Sequence, residues 1–242
     1  MTRLIKAIAL SFMLALSFSA NPAFADLDQA EKAEVRALIK AYLIENPDLI
    51  RDVLNDLILR EQREELENAL AIARDDAADG LMGNPDADVT IYEFSDYNCG
   101  YCKRIFNDLR TVLGEDPNLA VRVKEFPILS ESSVIAARAG LAAQRQGKFE
   151  AFHIVMMESV GGISENTIQD AAKRAGLDMT QFSRDRVDPS LDNVLATNTT
   201  LARQLKITGT PGLIIGDTVI PGAISADQIR ELVAVARANK NS

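Results

Sequence analysis

The sequence predicts an α/β fold that carries an inserted helical block and follows an N-terminal helical extension. Three observations lead there. A β-branched and aromatic run, Val89-Thr90-Ile91-Tyr92-Glu93-Phe94, passes through a short turn straight into a helical pattern. Between a second strand and a C-terminal hairpin lies a mostly helical stretch, from Ser132 to about Arg186. Ahead of all these, residues 28–75 show helical spacing of apolar positions with few β signals.

The first 25 residues read as an address. Arg3 and Lys6 precede a short apolar stretch from Ala7 to Phe18, and Ala23-Phe24-Ala25 supplies a small-x-small cleavage site. The apolar stretch falls short of the roughly 20 residues that a spanning helix needs. Cleavage after Ala25 and export to the periplasm are expected, and thiols outside the cytoplasm tend to be oxidised. The 242 residues have 26 Lys and Arg against 35 Asp and Glu, a formal charge of −9, and losing Arg3 and Lys6 takes it to −11. Such a surface repels phosphate backbones, so nucleic-acid partners are not expected.

The extension begins with a helix over residues 28–45, where Val35, Leu38, Ile39, Tyr42 and Leu43 share one face. Asn46-Pro47 interrupts it, and Pro47 suits the first turn of the next helix. There Leu49, Ile50, Val53, Leu54, Leu57 and Ile58 make one stripe, continued more weakly by Leu66, Leu70 and Ile72. A helix from 47 to about 78 would be on the order of 45–50 Å long, beyond the width of a small domain. Its stripe either packs on its own body or meets stripes of other copies; the dense first half points to a homo-oligomer seam and the polar second half to an exposed linker. Asp75 to Pro85, small and polar with Gly and Pro, reads as the boundary. Residues 26–80 are thus expected to form a stalk and 81–242 the body, with an insertion over about 130–206.

Inside the body the strand at Val89 ends at Ser95-Asp96-Tyr97-Asn98, and Cys99-Gly100-Tyr101-Cys102 then opens a helix. Unpaired N–H groups and the macrodipole at a helix N-terminus favour negative charge. Cys99 is therefore expected to be exposed there with its thiol pKa below the free value of ~8.5. Cys102, nearly one turn deeper, is expected to be shielded. Cys99 forms a mixed disulfide and Cys102 resolves it. A structural zinc site needs about four ligands, and two cysteines with the single His153 fall short. An inert disulfide over two residues would constrain the unfolded chain very little. No metal or other cofactor is called for. His153, after Phe152 in a helical stretch, reads as a surface or core residue, and Met156-Met157 reads as core rather than copper ligands.

Downstream, Leu119 to Phe126 is a strand, Gly147, Gly161-Gly162 and Gly176 break the helical block, and a helix follows Pro189. Thr210-Pro211-Gly212 leads into Leu213-Ile214-Ile215, a Gly216-Asp217 turn and Thr218-Val219-Ile220, a hairpin. The ordinary state of a strand-entry proline is trans, although X-Pro bonds also take cis. Ser225 to Gln228 fits a capping box for a last helix.

Phe94 to Lys103, Thr210-Pro211-Gly212 and the helical insertion between them resemble the exported DsbA-like branch of the thioredoxin superfamily over roughly residues 81–242. The resemblance implies a thioredoxin fold, a cis Pro211 facing the redox pair, and a Thr210 backbone that binds client peptide beside Gly100 and Tyr101. It also implies a buried carboxylate six residues before the first cysteine, here Glu93, that takes the proton of Cys102, with Asp96 as a lesser substitute. The long extension is similar to that of the suppressor-of-copper-sensitivity C proteins, whose better-known members oligomerise through it. Gly100-Tyr101 departs from the Pro-His pair of the best-known oxidases. The expected function is a protein disulfide isomerase or reductase acting on cysteine-containing clients and reset by a membrane redox partner. The alternatives are a monomeric dithiol oxidase and, in another class, a periplasmic chaperone or copper-binding module holding Cu(I) on the thiols.

Overall fold

The computed structural model describes residues 28–75 and 78–240. The leader expected over residues 1–25 lies outside them. The chain divides into two compact units between Leu57 and Ile58.

The first unit is helical. Helix α1 (Gln29–Glu45) starts at Asp28, whose carboxylate accepts from the N–H groups of Ala30 and Glu31 while Glu31 accepts from the Asp28 N–H, a reciprocal cap. Asn46 ends it, and helix α2 (Pro47–Asp75) begins at the proline, as the sequence predicts. No residue of α1 is buried within this chain, and Leu49, Ile50, Val53, Leu54 and Leu57 of α2 are all exposed.

The second unit contains the later half of α2, which is where one expectation fails. Leu66, Ala69, Leu70 and Ala73 do not form an exposed linker; they pack with Tyr92, Phe94, Phe126, Leu201, Leu205 and Ile214. Alanines let the helix approach closely, so a sparse stripe still makes a packed face. A second difference follows. The stretch expected as a boundary, 75–85, holds strand β1 (Gly80–Gly83), paired antiparallel with β3 (Leu119–Glu125).

Among the described residues the strands form one sheet in the order β1-β3-β2-β4-β5. Strand β2 (Val89–Ser95) runs parallel to β3, and β4 (Gly212–Ile215) and β5 (Thr218–Pro221) form the hairpin, turning at Gly216 with φ 59°. Helix α3 (Gly100–Glu115) follows β2, and α9 (Ala226–Lys240) closes the chain behind the Ser225–Gln228 capping box. The inserted block is α4 (Glu131–Arg145), α5 (Phe149–Glu158), α6 (Glu165–Arg174), α7 (Met179–Asp185) and α8 (Ser190–Gln204), with the breaks where the glycines put them.

Alternation along β2 and β3 splits the core across the sheet. Ile91, Val121, Val123, Leu213 and Ile215 meet α3, α5 and α9, with Met156 and Met157 buried in the same cluster. Tyr92, Phe94 and Ile214 face α2 and α8.

Candidate active site

The turn between β2 and α3 is held by polar side chains. Asp96 Oδ1 accepts from the Asn98 N–H at 2.8 Å, and the Asp96 carbonyl accepts from the Cys99 N–H at 2.9 Å. Asp96 Oδ2 accepts from the N–H groups of Ile128 and Leu129, both at 3.0 Å, tying the turn to the segment before α4. Asn98 Nδ2 lies 2.9–3.0 Å from the hydroxyls of Ser130, Ser132 and Ser133. Its Oδ1 accepts from the Ile163 N–H at 3.2 Å. Asp96 thus fixes loops, and the lesser role as proton acceptor is taken up by none of its contacts.

This frame makes Cys99 the N-cap of α3. Its sulfur accepts from the Cys102 N–H at 3.4 Å, using an amide that the helix itself leaves unpaired. The Cys99 thiol is pulled down to about 5: the Cys102 thiol hydrogen-bonds to it first of all, burial works against this, and Thr210 and the N–H groups of Cys102 and Tyr101 add to the lowering. Both cysteines are free thiols. Cys99 is less open than its place at a helix tip suggests. Only 6% of its surface is exposed, because the Thr210 carbonyl stands 3.3 Å from its sulfur. Cys102 is fully buried, as expected, and its thiol is pushed up by the hydrogen bond with Cys99, by burial and by the Glu93 carboxylate.

The Thr210-Pro211 peptide bond is cis, and the Pro211 carbonyl accepts from the Gly222 N–H at 2.9 Å. Gly100 and Tyr101 are exposed in the first turn of α3, and the Arg104 guanidinium lies 4.5 Å over the Tyr101 ring. Glu93 is on β2, 1% exposed, with Oε1 lacking a hydrogen-bond partner. Burial raises its carboxyl to about 7, with the neighbouring Ser95 hydroxyl working against this and the Cys99 charge adding to it. The structure thus gathers Cys99, Cys102, Gly100, Tyr101 and Thr210 at the helix tip, with Pro211 next to Thr210 and Glu93 in the strand below. Among the described residues no group of three or more potential ligands has metal-site geometry.

Residues 90–234 match the DSBA-like thioredoxin domain. The chain belongs to that family. Residues 31–64 of this DsbA-like protein match the copper resistance protein ScsC N-terminal domain. Among solved structures it is 38% identical to a thioredoxin-like oxidoreductase from Silicibacter pomeroyi, with TM-score 0.65, covering 69% of this chain and 96% of that one. A linker-deletion variant of ScsC from Proteus mirabilis is 32% identical, with TM-score 0.67, over 90% of this chain and 100% of that one. A periplasmic thioredoxin-like protein from Salmonella enterica serovar Typhimurium is 32% identical, with TM-score 0.65, over 70% and 96%. Curated relatives include a Na(+)/H(+) antiporter NhaA 1 from a Mycobacterium species, 31% identical over 116 residues. The chain spans about a fifth (19%) of the length of that relative.

Sequence reasoning missed Tyr97, Glu125 and His153 as one group. Tyr97 Oη lies 2.9 Å from His153 Nδ1, and all three residues are at most 1% exposed. The only available signal was charge on a strand that otherwise reads as buried.

Proposed function

We propose that the protein is an exported thiol–disulfide oxidoreductase that reduces or isomerises wrong disulfides in misoxidised or copper-stressed proteins. The observation that carries this reading is the Cys99 sulfur capping α3 with its thiol lowered to about 5, beside a buried Cys102 whose thiol is raised. One sulfur is ready to attack and the other is held back.

The Cys99 thiolate attacks one sulfur of a client disulfide, which forms the Cys99–client bond and expels the other client sulfur as a thiolate. If that thiolate attacks a different bridge and Cys99 leaves, the client is isomerised with no net electron transfer. If Cys102 attacks Cys99 instead, its proton passes to Glu93, the Cys99–Cys102 disulfide forms, and the client leaves with two electrons as a dithiol. A membrane redox partner then supplies two electrons to reset the pair. Gly100 and Tyr101 border the client, and the backbone of Thr210, beside Pro211, offers an extended edge to a client strand.

Isomerisation needs a grip on a misfolded client, and several sites around one space would give it. The exposed stripes of α1 and of α2 up to Leu57 support a homo-oligomer through residues 28–75, as does the match of residues 31–64 to an ScsC N-terminal domain.

Light-scattering mass of the mature protein, with and without residues 26–57, tests the assembly. Refolding of a scrambled substrate and reduction of insulin test the direction. The expected result is a multiple of the chain mass that falls to one chain on truncation, with isomerase activity lost and insulin reduction kept. A monomer in both forms, or oxidase activity with no isomerase activity, turns the reading toward a monomeric dithiol oxidase. A Cys99→Ser variant as active as the parent would favour a binding module.

A further inference from the structure

The exchange chemistry uses Cys99, Cys102 and Glu93, yet a second group of polar side chains is buried under them. Ser95 and Glu125 are register partners on β2 and β3, and Glu93 precedes Ser95 by two, so all three side chains share one face of the sheet. Tyr97 comes from the turn above. His153 comes from α5, its ring 5.0 Å from Phe149 in a stacked pair and 5.3 Å from Phe106. A Cβ at Gly140 of α4 would stand 2.6 Å from Glu125 Oε1 and 2.9 Å from Tyr97 Oη, so both oxygens fill the notch that a glycine leaves. Glu93 Oε1, Ser95 Oγ, Glu125 Oε1 and His153 Nε2 have no hydrogen-bond partner although each is buried.

Two carboxyls on one face of neighbouring strands in a dry interior raise each other's pKa, and one of them keeps its proton first. The surroundings decide which one keeps its proton. Glu125 shares its face of the sheet with Glu93 of β2, feels the charges of Asp96 in the turn and of Asp79 before β1, and meets Tyr97, through which it reaches His153 of α5; the redox cysteines lie at the start of α3. These are acids, thiols, a phenol and an imidazole caged by aromatic rings. The neighbouring cation, Lys124, points to the opposite face of β3 and pairs with Asp79. A protonated carboxyl brings a donor that needs an acceptor. Tyr97 is the hydrogen-bonding neighbour of Glu125, and its Oη lies 2.9 Å from His153 Nδ1; with that nitrogen unprotonated the phenol gives its proton to the histidine, and its oxygen is left to accept from the carboxyl.

We propose that Glu125 is a second buried acid beneath the redox pair, kept protonated, and that Tyr97 and His153 are positioning residues that engage its proton and keep it from Glu93. This inference rests on the proposed transfer of the Cys102 proton to Glu93 and names what keeps Glu93 free to receive it. The Ser95 hydroxyl beside it makes no hydrogen bond, and Glu93 Oε1 stays unsatisfied and basic. Burial drives Glu125 well above the usual carboxylate range, against the interaction with Tyr97, and it pushes His153 down to about 3.

The sequence has one histidine, so the untagged protein labelled with ¹⁵N-histidine reports a single imidazole. The expected spectrum has the proton on Nε2 and a hydrogen-bonded, unprotonated Nδ1, altered in Tyr97→Phe. A proton on Nδ1 reverses the chain, makes Glu125 the acceptor and overturns the proposal. A second test follows the single-turnover reaction with glutathione disulfide across pH, reading the midpoint of the step in which Cys102 closes on Cys99. Tyr97→Phe frees the Glu125 proton to turn to Glu93 and lowers that midpoint by about one pH unit. Glu125→Leu leaves the midpoint unchanged, and Tyr97→Phe adds nothing to it in the double variant. A lowered midpoint in Glu125→Leu alone means that Glu125 carried charge and overturns the proposal. So does a Tyr97→Phe shift that survives in the double variant. Should the leucine variant fail to fold, Glu125→Gln removes the titration at constant shape and carries the same expectation for the single change. A parent protein without the second step refutes the exchange reading instead, and the histidine spectrum still decides this one.

Discussion

The two units solve opposite problems. In the first, Leu38 is 70% exposed and Ile44 67%, and apolar side chains face outward along two helices. In the second, Asp79, Glu93, Asp96, Lys124, Glu125 and His153 are at most 1% exposed, and ionisable groups face inward. Each arrangement costs stability in an isolated chain: exposed apolar area forgoes about 25 cal/mol per Å², and a buried charge must be paired or neutralised. The proposed function gives both departures a reason. On the proposed function, outward apolar stripes await another copy, and inward acids set the protonation of two sulfurs. A departure from the burial rule is therefore informative in either direction.

The largest effect expected is at the redox tip. Cys99→Ser should lower the rate of disulfide reduction by at least about 10³-fold, since the thiolate is the nucleophile and a hydroxyl is not. In the parent, alkylation by iodoacetamide should rise through a midpoint near pH 5. The sign for stability follows from that lowering. The reduced form gains stability as pH rises from about 5 toward the unfolded thiol's value, and loses it as pH falls back. A midpoint near the value of free cysteine would place the site among structural cysteines.

The same leucine deletion in both units separates them. Leu109→Ala, at a position 2% exposed in the body, should cost about 2–5 kcal/mol in denaturant unfolding at any protein concentration. Leu54→Ala, at a position 50% exposed in this chain, should cost little in dilute solution and raise the dissociation constant of the assembly, so that its effect grows with concentration. A concentration-independent cost at Leu54 would remove the argument for a seam between copies.

Much of this was legible in residues. Val89–Ser95, the cysteine pair and the glycine breaks of the inserted block are local signals, and local signals survive folding. Strand β1 was not legible. Gly80-Leu81-Met82-Gly83 has two glycines and no alternation, and it becomes a strand because β3 offers it an edge. The cover over Cys99 comes from Thr210, 111 residues away. The Tyr97–His153 pair spans 56 residues and joins two elements that no periodicity connects. Leu66 to Ala73 looked too weak to be a packed stripe because alanine signals poorly and packs well. What sequence hides is contact between distant elements, and here that contact governs charge.

A smaller change probes the inward acids. Glu93→Gln should slow the closing of Cys102 on Cys99 by roughly 10²-fold, within the range of a lost general base. Burial raises Glu93 to about 7, so its contribution to stability is full below the unfolded carboxyl value and is lost as pH rises through about 7. The variant should accordingly melt higher than the parent at pH 8 and about equally at pH 4. Equal melting at both would show that Glu93 carries no burial penalty.

The smallest effect concerns the place where the body imitates the stalk. Tyr101 is 61% exposed next to the redox cysteines, an aromatic ring left in water in a unit that buries Tyr97, Phe94 and Phe106. Arg104, one turn along α3, lies over the ring at 4.5 Å, a contact worth about 0.5–1 kcal/mol at an exposed site. If the ring is held out to meet clients, Arg104→Ala lets it wander and should raise KM for a protein disulfide a few-fold. It should leave kcat and the Cys99 alkylation midpoint where they are, because no hydrogen bond of the sulfur involves Arg104. A matching loss in kcat would mean that the guanidinium acts on the sulfur rather than on the ring. An unchanged KM with insulin and with a scrambled client would make the exposed ring a bystander in client recognition.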